Sequence, residues 1–176
     1  GHKLHTKTSV SPMPFSTSTL QQAASNELHL SPKETMSLCQ SLYEGGHITY
    51  HRTDSQTYSG MFKATAGLYI MKTYGDNYLN TDAKQETNYD HSAHEAIRPT
   101  KIECEVVQGD NVRENRLYKL IRRRTLESCM AAATISVLTA TISAPQQQEY
   151  RYTAEQIIFA GWQMASEAPV INKDYT

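Results

Sequence analysis

No run of apolar residues in this chain approaches the roughly 18 needed to cross a bilayer as a helix. No membrane partner is therefore expected. The opening Gly1-His2-Lys3-Leu4-His5 lacks the apolar stretch of a secretory signal. Cysteine is scarce: Cys39, Cys104 and Cys129 are odd in number and far apart, giving neither a disulfide framework nor a Cys-x-x-Cys metal pair. The simple expectation is a reducing, intracellular setting in which each is a buried thiol. An excess of one charge is missing too. Seventeen Lys and Arg against eighteen Asp and Glu leave a formal net charge of −1, so there is no uniformly basic nucleic-acid surface. Attraction to phosphate must be local, or be supplied by other parts of a larger protein. There is no internal repeat, and the longest low-complexity stretch is Gln146-Gln147-Gln148.

What is present suits a globular protein of one compact domain, or of one domain with part of another, at 176 residues. Residues 1–16 are polar and interrupted by Pro12 and Pro14, and read as extended or irregular. Thr19 with Gln22 fits a capping box for a short helix ending near Leu28. Ser31-Pro32-Lys33-Glu34 is a stronger start: Ser as N-cap, Pro at the first helical position and Glu at the third. Met36, Cys39, Leu42 and Tyr43 then recur at helical spacing until Gly45-Gly46 stops the helix. His47 to His51 reads as a short strand, and Thr53-Asp54-Ser55 as a turn built by side chains that bond to nearby backbone. A third helix is predicted from Ser59 to about Tyr74, carrying Phe62, Leu68 and Tyr69, with Gly75 closing it and loop over 76–93. A fourth runs from about Asn111 to Met130 with Leu117, Leu120 and Ile121 inward. Thr134 to Ile142 and Tyr150 to Phe159 are strand-like, joined by a polar connection at Pro145. The order, helical then strand-rich, predicts an α+β chain: a helical domain followed by part of a β domain.

Two clusters carry candidate chemistry. Tyr50 and Arg52 stand two apart on the expected strand, so period-two alternation puts both on one face. A phenol, with a reference pKa of about 10, needs its proton removed or its anion stabilised before it attacks. A guanidinium beside it lowers that cost and can grip a phosphate through two hydrogen bonds. By itself this spacing more often reflects packing and a cation–π contact. The second cluster is Ala93-His94-Glu95-Ala96-Ile97-Arg98-Pro99-Thr100, where His and Arg are donors for a phosphate and Glu orients them. Alone it reads better as a solvated charged turn closed by Pro99. Arg122-Arg123-Arg124 does not form one basic patch, because consecutive helical residues point about 100° apart. A partly solvated helix face with one or two phosphate contacts is expected there.

Taken together, Ile48-Thr49-Tyr50-His51-Arg52-Thr53-Asp54-Ser55 and Ala93 to Thr100 resemble the two signature segments of the central region of type IA DNA topoisomerases, in the family's order and at a similar separation. Pro14-Phe15-Ser16-Thr17-Ser18-Thr19-Leu20-Gln21-Gln22-Ala23-Ala24-Ser25 resembles the family's entry into this region, and Leu42-Tyr43-Glu44-Gly45-Gly46 fits as well. The likeness covers about residues 12–162 and thins after Met130 to Gly161-Trp162 and general strand character.

The resemblance implies a helical gate domain at 10–132 (domain III-like) and parts of a β-rich hinge domain (domain II-like) at 1–9 and 133–176. It implies Tyr50 as the nucleophile toward single-stranded or underwound DNA, Arg52 as stabiliser of phosphate and phenolate, and His94 as a phosphate contact. Arg98 and Glu95 support that cluster, while Thr53, Asp54 and Ser55 present the tyrosine; His51 is given no role. The family's Mg2+ is held by a separate Toprim domain with an Asp-x-Asp cluster, and Asp-x-Asp occurs nowhere here. Glu103 and Glu105 are read as exposed strand residues. The expectation is therefore a piece of a larger enzyme that works with other domains of its own polypeptide, holds no metal itself and is inactive alone. A topoisomerase III-like or reverse gyrase relative, or a non-catalytic nucleic-acid-binding module, are the alternatives; a tyrosine recombinase or type IB enzyme ranks below them.

Overall fold

A computed structural model of the chain describes residues 1–81 and 94–166, so the end of the loop expected over 76–93 lies outside the described residues. The first helix, α1 (Thr17–Leu28), starts a little earlier than the sequence reading has it. Ser16 is the N-cap and Thr19 the third helical residue: the Ser16 hydroxyl accepts from Thr19 N at 3.4 Å while Thr19 Oγ1 accepts from Ser16 N at 2.9 Å. The reciprocal box is thus Ser16 with Thr19, not Thr19 with Gln22. The next helix, α2 (Pro32–Glu44), has the expected box of Ser31 and Glu34 with Pro32 at its start. Its buried positions are Thr35, Cys39 and Leu42 rather than Met36 and Tyr43. Thr35 tolerates burial because its hydroxyl donates to Ser31 O at 2.9 Å.

Helix α3 (Gly60–Tyr74) is capped by Ser59 and ends at Gly75 as expected. It buries Phe62, Ala66, Gly67 and Ile70, whereas Leu68 is 66% exposed. Leu68 lies about 200° around the helix from Ala66, on the solvent side. After a 3₁₀ turn at Asp76–Tyr78, helix α4 (Val112–Cys129) runs from the Asn111 cap to Met130 with Leu117, Leu120 and Ile121 buried. Glu103 and Glu105 are exposed, but in irregular chain rather than a strand, and Cys104 between them is exposed where a buried thiol was expected. Cys39 and Cys129 are buried, and burial pushes their thiols up to about 12 and about 11.

The three arginines of α4 fan out to three different segments. Arg122 donates to Ile102 O and the Tyr69 hydroxyl, Arg123 pairs with Glu27, and Arg124 donates to Met13 O and lies over the Phe15 ring. Each of the three is engaged by protein groups.

Three antiparallel strands form one sheet in the order β1 (His2–Ser9), β2 (Ala133–Ala144), β3 (Gln148–Phe159). Leu4 pairs with Leu138 and Leu138 with Ala154. Both predicted strands are present and longer than expected, and the extended first residues are β1. Two cores fill the helical body. One joins α1, α2 and the first half of α4 through Phe15, Leu20, Leu42, Ile48, Ile97, Leu117 and Ile121; the other joins α3 to the end of α4 through Phe62, Ile70, Ile102, Leu126 and Met130. Body and sheet meet at Gly161-Trp162. Gly161 takes φ +52°, and a Cβ there would come within 2.5 Å of the Ala131 and Ala132 carbonyl oxygens, so only glycine fits. Trp162 then donates its backbone N–H to Ala131 O at 2.8 Å and its indole N–H to Ser9 O at 3.0 Å.

Candidate active site

The segment expected as a strand over His47–His51 makes only a single bridge, Ile48 with Pro99. The ladder goes no further because the donors it needs are taken: His47 N donates to Leu42 O at 2.9 Å, and Arg98 N turns to a side chain. Side chains take over. Thr49 N donates to Arg98 O at 2.9 Å, Thr49 Oγ1 donates to Ala96 O at 2.8 Å, and Arg98 N donates back to Thr49 Oγ1 at 3.0 Å. Thr100 N closes the pairing on His47 O at 3.0 Å. The two signature segments, some fifty residues apart, therefore lie side by side.

The third segment joins them. Ile97 N donates to Phe15 O at 2.9 Å, and Thr17 N donates to Thr53 O at 2.9 Å. The Thr17 hydroxyl donates to His51 O at 2.6 Å and accepts from Thr53 N at 2.9 Å, so one side chain clamps both ends of the turn after Tyr50. Gln56 Nε2 reaches Pro14 O at 3.3 Å. Sequence reasoning gave Thr17 and Thr49 no part in this; their place inside the recognisable segments was the available signal.

Within this knot Tyr50 is 47% exposed, and Arg52 beside it is exposed and makes no ion pair among the described residues. The alternation expected of a strand persists without the ladder: Tyr50 and Arg52 face out and His51, between them, is wholly buried. Tyr50 packs edge-on against Tyr43 with ring centroids 5.1 Å apart. Thr53 Oγ1 accepts from Ser55 N at 3.1 Å and Ser55 Oγ from Thr57 N at 3.3 Å, which bends the chain after the tyrosine. Asp54 is exposed and lines a hollow of about 500 Å³ with Thr53, Gln56 and the hydroxyl-rich start of α1.

His94 is exposed at the edge of the described residues. Arg98 and Glu95 are bound to each other: Arg98 Nε and Nη2 donate to Glu95 Oε1 and Oε2 at 3.0 and 2.8 Å, and Nη1 donates to Pro99 O at 3.0 Å. The guanidinium also stacks 3.9 Å from the Phe62 ring centroid. Glu95 Oε1 accepts from Ser59 N at 2.7 Å, tying this segment to the start of α3. Burial raises the Glu95 carboxyl, but the hydrogen bonds from Arg98 and Ser59 outweigh it and hold the group below its ordinary value. Arg98 is thus a strut whose donors are spent internally, and Glu95 is its orienting partner. Among the described residues no three His, Cys, Asp or Glu side chains gather into a metal site.

A family model described as DNA topoisomerase matches residues 2–175. DNA topoisomerase 1 of Buchnera aphidicola is 40% identical over 155 residues, covering 86% of this chain and 18% of that protein. DNA topoisomerase 1 of Mycobacterium tuberculosis is 40% identical over 162 residues, covering 85% of this chain and 17% of that protein. The structure of full-length topoisomerase I from Thermotoga maritima superposes with a TM-score of 0.82 at 29% identity, over 99% of this chain and 30% of that one. The chain thus spans less than a fifth of the length of these curated relatives. With its three motif segments knotted around one exposed tyrosine, and with matches along nearly all its length, the chain belongs to the type IA DNA topoisomerase family.

Proposed function

We propose that this chain is the nucleophile-bearing part of a type IA enzyme that cuts and reseals single-stranded DNA. The observation that carries the reading is the knot itself: three segments far apart in sequence spend their hydrogen bonds on presenting Tyr50 and Arg52 to solvent.

In the reaction the Tyr50 oxygen attacks a backbone phosphate, the phosphate–O3′ bond breaks, and the 5′ phosphate is carried on the tyrosine while a 3′ hydroxyl leaves. The phosphoester count is unchanged, so resealing is the same exchange reversed and needs no ATP. Arg52, charged and without an ion-pair partner among the described residues, neutralises the phosphate and the forming phenolate. His94 is a donor to a neighbouring phosphate. Arg98 and Glu95 brace the segment that carries it, and Thr53 and Ser55 set the bend while Asp54 faces the hollow at the start of α1. The Mg2+ implied by the family does not fit the described residues, which offer no donor cluster, and no step is routed through it.

On this reading residues 10–132 form a gate that carries the cut 5′ end, and 1–9 with 133–176 belong to the hinge on which it moves. These 176 residues by themselves, with no metal-donor cluster among the described residues, do not relax DNA; robust relaxation by the purified chain with magnesium contradicts this. The non-catalytic alternative is separated by trapping. A single-stranded oligonucleotide labelled at either end is incubated with the full-length enzyme and denatured during turnover. A 3′-end label shifted to protein size, and lost in Tyr50→Phe, is the expected result. A shift of the 5′-end label gives the wrong polarity, and no shift with magnesium present favours a binding module.

A further inference from the structure

Among the described residues His51 is the most anomalous side chain. It is wholly buried, yet neither Nδ1 nor Nε2 has a hydrogen-bond partner among the described residues. A neutral imidazole carries one N–H and one lone pair, and burying both unpaired forfeits their hydration without return. The ring lies in a triangle of aromatics, with centroids 5.2 Å from Tyr50 and 5.8 Å from Tyr43, while Tyr43 and Tyr50 touch each other at 5.1 Å. Its backbone is pinned from α1 by the Thr17 hydroxyl. The charged and titratable groups around it are Tyr43 and Glu44 at the end of α2, with Tyr50 and Arg52 on its own segment.

We propose that His51 is a positioning residue for Tyr50: as a neutral ring it seats the phenol against Tyr43, and taking up a second proton unseats it. An imidazolium has two N–H donors and a charge, and its pocket supplies an acceptor for neither. To be protonated the ring must leave for water, and the contacts that fix the direction of Tyr50 leave with it. Burial first, and then the Arg52 charge, hold the imidazole below its ordinary 6.5, with Glu44 opposing, so the seat is intact at neutral pH. An apolar residue in the same place would seat Tyr50 at every pH. Histidine instead makes presentation of the tyrosine respond to acid.

The catalytic consequence rests on Tyr50 being the nucleophile, so the test has two arms. In the first, the chain itself is followed by NMR from pH 8 to 5. The His51 ring signals and the Tyr43–Tyr50 ring NOEs are expected to change in one transition below pH 6.5. His51→Met and His51→Leu, which do not titrate, keep those NOEs throughout. Titration of His51 with the NOEs unchanged, or their loss at the same pH in the variants, overturns the proposal. In the second arm, covalent complex is trapped on a single-stranded oligonucleotide with the full-length enzyme. Wild type is expected to lose about tenfold per pH unit below the transition, and His51→Met to stay within about twofold, the limb having lost its titrating group. An acid limb unchanged in His51→Met overturns the proposal. Complex that persists in Tyr50→Phe sinks the nucleophile reading alone, because the ring titration then decides the seat without it.

Discussion

The stretch from His47 to Tyr58 and the β2–β3 hairpin invert the usual association of regularity with importance. The hairpin sets two twelve-residue strands side by side in eleven pairs, with a register shift between Thr134 and Ile135, joined by a connection in which Gln146 and Gln147 both adopt positive φ. Yet one face of this sheet leaves Leu4, Leu138, Ile142, Tyr150 and Tyr152 substantially exposed. The His47–Tyr58 stretch has one isolated bridge and no helix, but Ile48, His51 and Tyr58 are buried and Thr49 and Thr53 are clamped by other segments. Backbone pattern and structural commitment are separate quantities. A ladder satisfies its own backbone, whereas an irregular stretch must recruit partners from elsewhere, and in doing so it fixes a side chain such as Tyr50 in three dimensions.

Trimming one isoleucine in each region tests the contrast most strongly. Ile48→Ala, at a side chain 2% exposed, should cost about 2–5 kcal/mol in denaturant unfolding. Ile142→Ala, at one 59% exposed, should stay within about 0.5 kcal/mol. Equal losses would erase the distinction. A smaller effect comes from the acid inside the knot. Glu95→Gln should cost about 1–3 kcal/mol at pH 7 by weakening the paired bonds from Arg98 and the bond from Ser59. The carboxyl is held below 4.5 in the fold, so its contribution is complete above that value and is lost as pH falls through the lowered one. The gap between wild type and variant should therefore close on acidification below 4.5, and a gap independent of pH would deny the charge its part. The smallest effect is expected in the sheet. Lys7 and Glu155 form an ion pair across β2, and Lys7→Ala should cost less than about 1 kcal/mol, with the difference shrinking in salt. A larger loss that is insensitive to salt would mean that the lysine stem shields Ile135 and Val137, which share that face.

Much of the fold was legible because its signals are local. The Ser31-Pro32-Lys33-Glu34 start, the helix start near Asn111 and the strand-like stretches at 134–142 and 150–159 depend on residues close in sequence, and these elements formed where the sequence put them. The strand at His47–His51 failed because its ladder donors are taken elsewhere, His47 N by Leu42 O and Arg98 N by the Thr49 hydroxyl. The first helix start was misread by one turn because Ser16 and Thr19 fit the box better than Thr19 and Gln22, and hydroxyls are hard to rank by sequence. Among the candidate residues, Tyr50 and Arg52 stand exposed on either side of buried His51, while Arg98 is turned inward onto Glu95 and Pro99. The burial of His51 was visible only as alternation, with nothing to say that both its nitrogens would go unpaired. Thr17 escaped notice because its two bonds span thirty-four and thirty-six residues.

Trp162 gives the molecule a mechanical property. Its indole holds Ser9 at the end of β1 while its own backbone N–H holds Ala131, just beyond α4, and Gly161 packs against the carbonyls there. The two bonds form one continuous link, Ser9 to indole and Trp162 N–H to Ala131, so removing the indole frees the end of β1 from the α4–β2 junction in a single step.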